Sequence, residues 1–287
     1  MYSKILVPLD GSSLAEQILP YVRSLAAAYN VPVELLWVND VENAEWPPRS
    51  GKEYLRQTIA KYLSALKRIA SIEANGRPAE EIVRRAGAEP SCLIAMATHG
   101  MSGVRRWLIG SVASKVAQLA QNPLLLVRPI ENADLAAAIE LKTIFVPLDG
   151  SGLAEKALPH AVALAKGLNL AVQLLRVYAL PSDAYIVADG VIGQGAAPFR
   201  EAMQKEAANY LEGKVETLRG EGLAEVIGTA MEGDPPKEII DLAAKTANSL
   251  IVMSTHGRSG IGRWMLGSVA EKIIQHSRAP VLLIRAG

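Results

Sequence analysis

Thr255-His256-Gly257-Arg258-Ser259-Gly260, closed further on by Gly267-Ser268, is the stretch whose reading decides the fold. The run ahead of it, Ser249-Leu-Ile-Val-Met-Ser254, is short and continuously apolar, the pattern of a parallel strand buried on both faces. Behind it, Val269, Ile273 and Ile274 fall on one side of a helix expected from Val269 to Ser277. A strand, a glycine-punctuated loop and a helix opening at Gly-Ser can hold a phosphate. Glycines let the backbone approach an anion, N–H groups point at it, and the helix N-terminus adds partial positive charge. Ser268 falls at the expected N-cap, where its hydroxyl either caps the helix or donates to a phosphate oxygen. The arrangement occurs twice. Thr98-His99-Gly100-Met101-Ser102-Gly103 precedes Gly110-Ser111, and in both copies nine residues separate the glycine after His from the glycine before Ser. One glycine loop is a weak signal, but two with the same internal spacing are a strong one.

The repetition extends over the whole chain. Val7-Pro-Leu-Asp-Gly-Ser12 returns verbatim as Val146 to Ser151. Ile5 matches Ile144, Leu14-Ala-Glu16 matches Leu153-Ala-Glu155, and Leu19-Pro20 matches Leu158-Pro159. A period of about 140 residues is too long for a solenoid and marks a duplicated domain. The 287 residues accordingly divide into a first domain at 1–130, a linker at 131–141 and a second domain at 142–287.

In the first copy strands are expected at Ile5–Leu9, Val33–Val38, Ser91–Ala97 and Pro123–Val127. Helices are expected from a Ser13/Glu16 capping box to Tyr29, then at Lys52–Arg68, Glu80–Ala86 and Ser111–Gln121. The second copy repeats this order. Val38 and Val177 stand 139 apart, whereas Pro78 and Pro235 stand 157 apart, so the second copy holds 18 more residues in between. Part of the difference is expected in the loop after the second strand and part just before Gly233, which predicts a short or malformed third strand in the first copy, around residues 68–78. The Ala-rich, acidic centre of the linker suits a short helix.

Alternating strands and helices specify a parallel sheet with right-handed crossovers and helices on both faces. Ligands of such sheets bind beyond the carboxyl ends of the strands, where the strand order reverses. The Asp10 turn follows the first strand and the His99–Gly100 loop follows the fourth. If those strands are neighbours, both open on one crevice, and Asp149 and Gly257 do the same in the second copy.

Composition excludes several classes. Half the residues are hydrophobic and only 5% aromatic, which suits two parallel α/β cores. A net charge of +1 offers no electrostatic case for nucleic acid or an anionic membrane. No apolar run reaches the roughly 18 residues of a membrane span. The N-terminus enters a strand at once and lacks a signal peptide's pattern, so a soluble, cytoplasmic protein is expected. Cys92, the only cysteine, excludes an intrachain disulfide and reads as a small buried thiol.

Pro-Leu-Asp-Gly-Ser after the first strand, Thr-His-Gly-x-Ser-Gly after the fourth and Gly-Ser-Val-Ala opening the last helix together resemble the universal stress protein family, in tandem form. The family's nucleotide-binding motif, Gly-x2-Gly-x9-Gly-Ser, aligns with Ala97, Gly100, Gly110 and Ser111, and with Ser254, Gly257, Gly267 and Ser268. The first glycine is replaced by a small residue in each copy. The resemblance implies an α/β, Rossmann-like architecture of two open five-stranded sheets, each ordered 3-2-1-4-5. It also implies antiparallel pairing of the fifth strands, Pro123–Val127 and Pro280–Ile284, with a homodimer as a further option.

The implied ligand is ATP, ADP or AMP, with or without Mg²⁺. Asp10 and Asp149 would accept from ribose hydroxyls or help hold a metal. Val38 and Val177 would offer backbone groups to adenine. The glycines and serines would surround the phosphates, with Pro8, Val112, Pro147, Val269 and Arg258 completing the cofactor-binding sets. Blander readings stand beside these. His99 and His256 shape the loops rather than act as bases, since no Gly-x-Ser-x-Gly elbow exists. Asp-Gly is common turn chemistry, Gly-Ser a common helix cap, and Trp107 and Trp264 pack under the loops. The function expected is a nucleotide-dependent stress sensor or regulator. The alternatives are a slow Mg-dependent ATPase or nucleotidyl-transfer enzyme, for which no Walker lysine follows the glycines, and a ligand-free interaction module.

Overall fold

In the computed structural model, which describes residues 2–40, 50–100, 109–180, 197–257 and 266–285, five apolar runs of each copy become strands. The first copy runs β1 (Lys4–Pro8), α1 (Leu19–Tyr29), β2 (Val33–Asp40), α2 (Gly51–Tyr62), β3 (Ile69–Gly76), α3 (Pro78–Gly87), β4 (Cys92–Ala97), α4 (Ser111–Leu119) and β5 (Leu124–Val127). The second runs β6 (Thr143–Pro147), the short α5 (Gly152–Glu155), α6 (Leu158–Leu168), β7 (Ala171–Tyr178), α7 (Ala197–Gly220), β8 (Val226–Glu232), α8 (Pro235–Lys245), β9 (Ser249–Ser254), α9 (Ser268–His276) and β10 (Val281–Ile284). Each half has the order 3-2-1-4-5, and the halves join into one ten-stranded sheet, β3-β2-β1-β4-β5-β10-β9-β6-β7-β8.

Side chains alternate across a strand, so each sheet has two cores. Ile5 and Val7 face α1 and α2 on one side, while Leu6 faces α3 and α4 on the other. In the second half Ile144 and Val146 face α6 and α7, and Phe145 faces α8 and α9. The central strands β4, β5, β9 and β10 are buried along their whole length. Their backbone groups therefore need protein partners. For β5 and β10 the outer partner is the other half: the two pair antiparallel, Leu282 opposite Leu125.

Around this joint α1 packs on α6. The Tyr29 hydroxyl donates to the Ala163 carbonyl at 2.8 Å, and Gly167 leaves room for the ring: a Cβ there would lie 2.8 Å from Tyr29 Cε1. Tyr2 meets Tyr29 edge to face at 5.9 Å and places its hydroxyl 3.1 Å from His160 Nδ1. Gln17 holds both the N–H and the C=O of Ile130, each at 2.8 Å.

Two expectations are corrected. The third strand of the first copy is neither short nor malformed. β3 has eight residues and pairs with β2 from Val33↔Ile69 to Asp40↔Gly76. The missing residues fall largely in the preceding helix, which has 12 residues in α2 and 24 in α7. A strand must match its neighbour's length to satisfy the ladder, whereas a helix can stop once its share of the sheet is covered. Nor does the linker form a helix. Arg23 takes the carbonyls of Ala136 and Ala137 at 3.1 and 2.7 Å, acceptors that a helix would have used itself.

Leu125→Ala and Leu282→Ala should each lower the unfolding free energy by about 2–5 kcal/mol. As opposed residues they should be non-additive by about 0.5–3 kcal/mol in a denaturant double-mutant cycle. Burial holds the His160 imidazole down at about 4, from an ordinary 6.5. The folded chain then binds fewer protons than the unfolded chain between those values, so this group makes stability rise with pH there. Between pH 6.5 and 4 the protein should lose more stability than its His160→Gln variant. Parallel curves would refute the assignment.

Candidate functional site

β1 neighbours β4 and β6 neighbours β9, which are the points where strand order reverses. Each half therefore brings together, at the carboxyl ends of these strands, the starts of the loops that follow them. Pro8 and Pro147 end β1 and β6. Gly11 and Gly150 follow the aspartates with φ of 85°, a left-handed conformation that favours glycine. Asp10 Oδ1 accepts from the Ser12 N–H at 3.0 Å and the Ser12 hydroxyl at 2.7 Å. Asp149 Oδ1 accepts from Ser151 at 2.9 and 2.6 Å. The same hydroxyls accept from the N–H of Ala15 at 3.1 Å and of Ala154 at 3.2 Å. Ser12, not Ser13, thus starts the following turn. That turn is a 3-10 helix, Ala15–Ile18, and α1 follows it with Pro20 in its first turn.

The second loop meets the first through its glycine. A Cβ at Gly100 would lie 1.9 Å from Asp10 Oδ2, and one at Gly257 would lie 2.1 Å from Asp149 Oδ2. With the carboxylates where they stand, any side chain larger than hydrogen would overlap them. Two residues back, the Thr98 carbonyl accepts the Gly110 N–H at 2.8 Å, and the Thr255 carbonyl accepts the Gly267 N–H at 2.8 Å. Three consecutive residues, 98–100 or 255–257, therefore tie the aspartate to the start of the helix.

Those bonds change the expected inventory of N–H donors. The Gly110 and Gly267 amides are already engaged. Both glycines have extended backbone, ψ of 148° and 145°, and are themselves the N-caps. Ser111 and Ser268 are the first helical residues rather than the caps, and both are exposed. The first bonds made inside each helix run from Ser114 N–H to Gly110 O and from Glu271 N–H to Gly267 O, both 2.9 Å. The amides of Ser111, Val112 and Ala113, and of Ser268, Val269 and Ala270, precede them. A glycine cap has no side chain with which to cover these groups.

Val38 and Val177 do not close their strands, which run on to Asp40 and Tyr178. Leu36 O accepts the Leu9 N–H at 2.9 Å and Leu175 O accepts the Leu148 N–H at 2.7 Å. Backbone groups two residues on point the same way, so those of Val38 and Val177 face the crevice side beyond the last paired residues of β1 and β6. Ala97 and Ser254 end β4 and β9 and are buried. They are not equivalent. The Ser254 hydroxyl donates to His256 O at 2.5 Å and accepts the His256 N–H at 3.2 Å, bonds that Ala97 cannot make.

Both histidines bond inward, His99 Nδ1 to Thr98 Oγ1 at 2.9 Å and His256 Nδ1 to Thr255 Oγ1 at 3.0 Å. His256 Nε2 is a buried nitrogen without a hydrogen-bond partner among the described residues. Arg258, Trp107 and Trp264 lie outside the described residues. Among those described, no three or more His, Cys, Asp or Glu side chains gather in a metal-binding group.

Sequence reasoning missed the residues beneath the turns. Tyr54 on α2 donates to Glu16 Oε1 and Tyr210 on α7 donates to Glu155 Oε1, both at 2.9 Å. Burial, then the Glu16 charge, pushes the Tyr54 phenol up. The neighbour of this tyrosine differs between copies. In the first it is Trp37, 5.5 Å from the Tyr54 ring and against Gly11, where a Cβ would lie 3.3 Å from the indole. In the second it is Arg176, buried, 4.7 Å over the Tyr210 ring and bonded to Glu206 at 2.9 Å. The 139-residue offset pairs Trp37 with Arg176, which was the available signal.

The universal stress protein family model matches residues 1–128 and again 140–285. A universal stress protein of Methanocaldococcus jannaschii is 31% identical over 144 residues, covering 50% of this chain and 82% of that protein. Universal stress protein Rv2005c of Mycobacterium tuberculosis is 23% identical over 298 residues, 98% of this chain and 96% of that one. The crystal structure of a universal stress protein from Archaeoglobus fulgidus superposes with a TM-score of 0.69 at 21% identity, covering 100% of both chains, which shows the shared fold. No helix among the described residues is long and apolar enough to cross a membrane.

Gly257→Ala should cost about 1–3 kcal/mol of stability by crowding Asp149. Adding Asp149→Ala should recover part of that loss in a denaturation series. A harmless Gly257→Ala would show that the carboxylate does not set this position.

Proposed function

The chain belongs to the universal stress protein family, and on that premise we propose that it is an adenine-nucleotide-binding regulator with one crevice in each half. The observation that carries this reading is the three-residue tie between Asp10 and the opening of α4, repeated between Asp149 and α9. In this reading it would bring a carboxylate, an acceptor for ribose hydroxyls, toward helix-start amides suited to phosphate oxygens. The glycine cradles and the unpartnered His256 Nε2 are features that a polar ligand would satisfy.

In this reading Asp10 and Asp149 hold the ribose. Val38 and Val177, beside Pro8 and Pro147, present backbone groups to adenine. Ser111, Val112, Ser268 and Val269 receive the phosphates, with Arg258 adding charge in the second copy, and Ala97 and Ser254 floor the crevices. ATP, ADP and AMP share the ribose and adenine contacts and differ in how far they reach along the helix opening. Any Mg²⁺ would draw oxygens from the nucleotide as well as from an aspartate. The sheet shared by both halves would let occupancy bias the conformation or assembly of the pair, which is the regulatory role.

Ser111→Glu and Ser268→Glu place a carboxylate where a phosphate would sit, while favouring the helix N-terminus. Calorimetric titration with ATP, with and without Mg²⁺, should show two sites in the wild type. Each variant should lose at least about tenfold, or 1.4 kcal/mol, at one site with its melting temperature retained. Unaltered titrations in both variants, or no binding of ATP, ADP or AMP by the wild type, would sink the reading.

A further inference from the structure

Each helix that opens at a glycine–serine step ends against the other half of the molecule. α4 ends at Leu119, and the guanidinium of Arg285, the residue after β10, donates to Gln118 O at 3.1 Å. α9 ends at His276, and Arg128, the residue after β5, donates to Gln275 O. The two acceptors are equivalent. Each belongs to the second-last residue of its helix, among the carboxyl-terminal carbonyls that the helix itself leaves unpaired. A cation there also complements the negative end of the helix dipole.

Each arginine is also fastened to the crevice of its own half. The Thr98 N–H donates to Val127 O at 2.8 Å, and Arg128 follows Val127. The Thr255 N–H donates to Ile284 O at 2.9 Å, and Arg285 follows Ile284. Thr98 and Thr255 begin the three-residue ties that carry Gly100 and Gly257. A continuous bonded path therefore leads from the Gly100 loop through Val127 and Arg128 to Gln275, and along α9 to Ser268. Its counterpart leads from the Gly257 loop through Ile284 and Arg285 to Gln118, and along α4 to Ser111. Each helix has nine residues, about 13 Å at 1.5 Å per residue. So short a helix, packed along one side, moves as a unit.

We propose that Arg128 and Arg285 are positioning residues that couple the two crevices, each seating the phosphate-facing helix of the opposite half. This rests on the nucleotide-binding reading above. Ligand in one crevice fixes residues 98–100 or 255–257, the strand end behind them and the arginine beyond. The opposite helix is then already seated when the second ligand arrives, so less ordering remains to be done and the second binding is tighter.

Calorimetric titration with ATP and Mg²⁺ tests this. Ser111→Glu and Ser268→Glu chains supply the affinity of each crevice alone, and the wild type supplies the affinity of the second binding step. The wild type should bind the second nucleotide about fivefold more tightly than the isolated crevices predict. Arg128→Met/Arg285→Met should bring that ratio to about one with only a small fall in melting temperature from the lost helix-end bonds, while Arg128→Lys/Arg285→Lys should retain part of it. A purely structural role would lower the melting temperature and leave the ratio alone. A ratio of one in the wild type, or a ratio that survives the double Met variant, overturns the coupling and leaves nucleotide binding standing. Absence of any ATP binding overturns both. If the double Met variant does not fold, Arg285→Met alone decides on the same ratio.

Discussion

The structure depends on two short buried strands that cannot stay unpaired. β5 and β10 are four residues each, buried throughout, and each has a parallel neighbour on one side only. Their other edges would expose apolar side chains and unpaired backbone groups together, an edge prone to join other chains. Pairing them antiparallel within one chain removes both liabilities and makes two five-stranded sheets into one. The α1–α6 contact, the Tyr2–Tyr29–His160 group and the Gln17 clasp on Ile130 gather on one face of that joint.

The same joint relates the helices and strand ends of the two halves. Antiparallel pairing sets the carboxyl end of β5 beside the amino end of β10, where α9 finishes, and the carboxyl end of β10 beside the finish of α4. This is why the arginine following each strand reaches a helix of the other half. Within each half, close approach does the remaining work. Asp10 and Asp149 are held by their own turns through Oδ1 and brought against a glycine on the Oδ2 side. The duplicated geometry carries unequal chemistry. An indole lies under the first turn and a guanidinium under the second, and a serine hydroxyl braces the second loop where the first has a methyl.

How much of this was legible follows from the range of the interactions. The strands at Val33 and Ser249, the Asp-Gly turns and the glycine loops are local patterns, and their repetition at constant spacing exposed the duplication. Of the missing 18 residues, the part assigned to the third strand was placed wrongly because length alone does not say which element absorbs a deletion. The ladder with β2 protects β3, and α2 gives way instead. Ser268 was placed one position early because the N-cap is defined by backbone conformation, and Gly267 adopts the extended one. Arg176 went unseen because its importance lies in what packs against it.

By itself, then, the order of residues determined an alternating α/β chain folded twice, with a turn and a glycine loop at the switch point of each sheet. These follow from periodicity, from the conformational freedom of glycine and from the need of apolar strands for partners. Only the tertiary structure decided which amides are already bonded, which carboxylate oxygen faces which glycine, and that each helix ends on an arginine of the opposite half. Such facts depend on approach between residues far apart in the chain, and no local pattern encodes the partner that a long-range contact will supply.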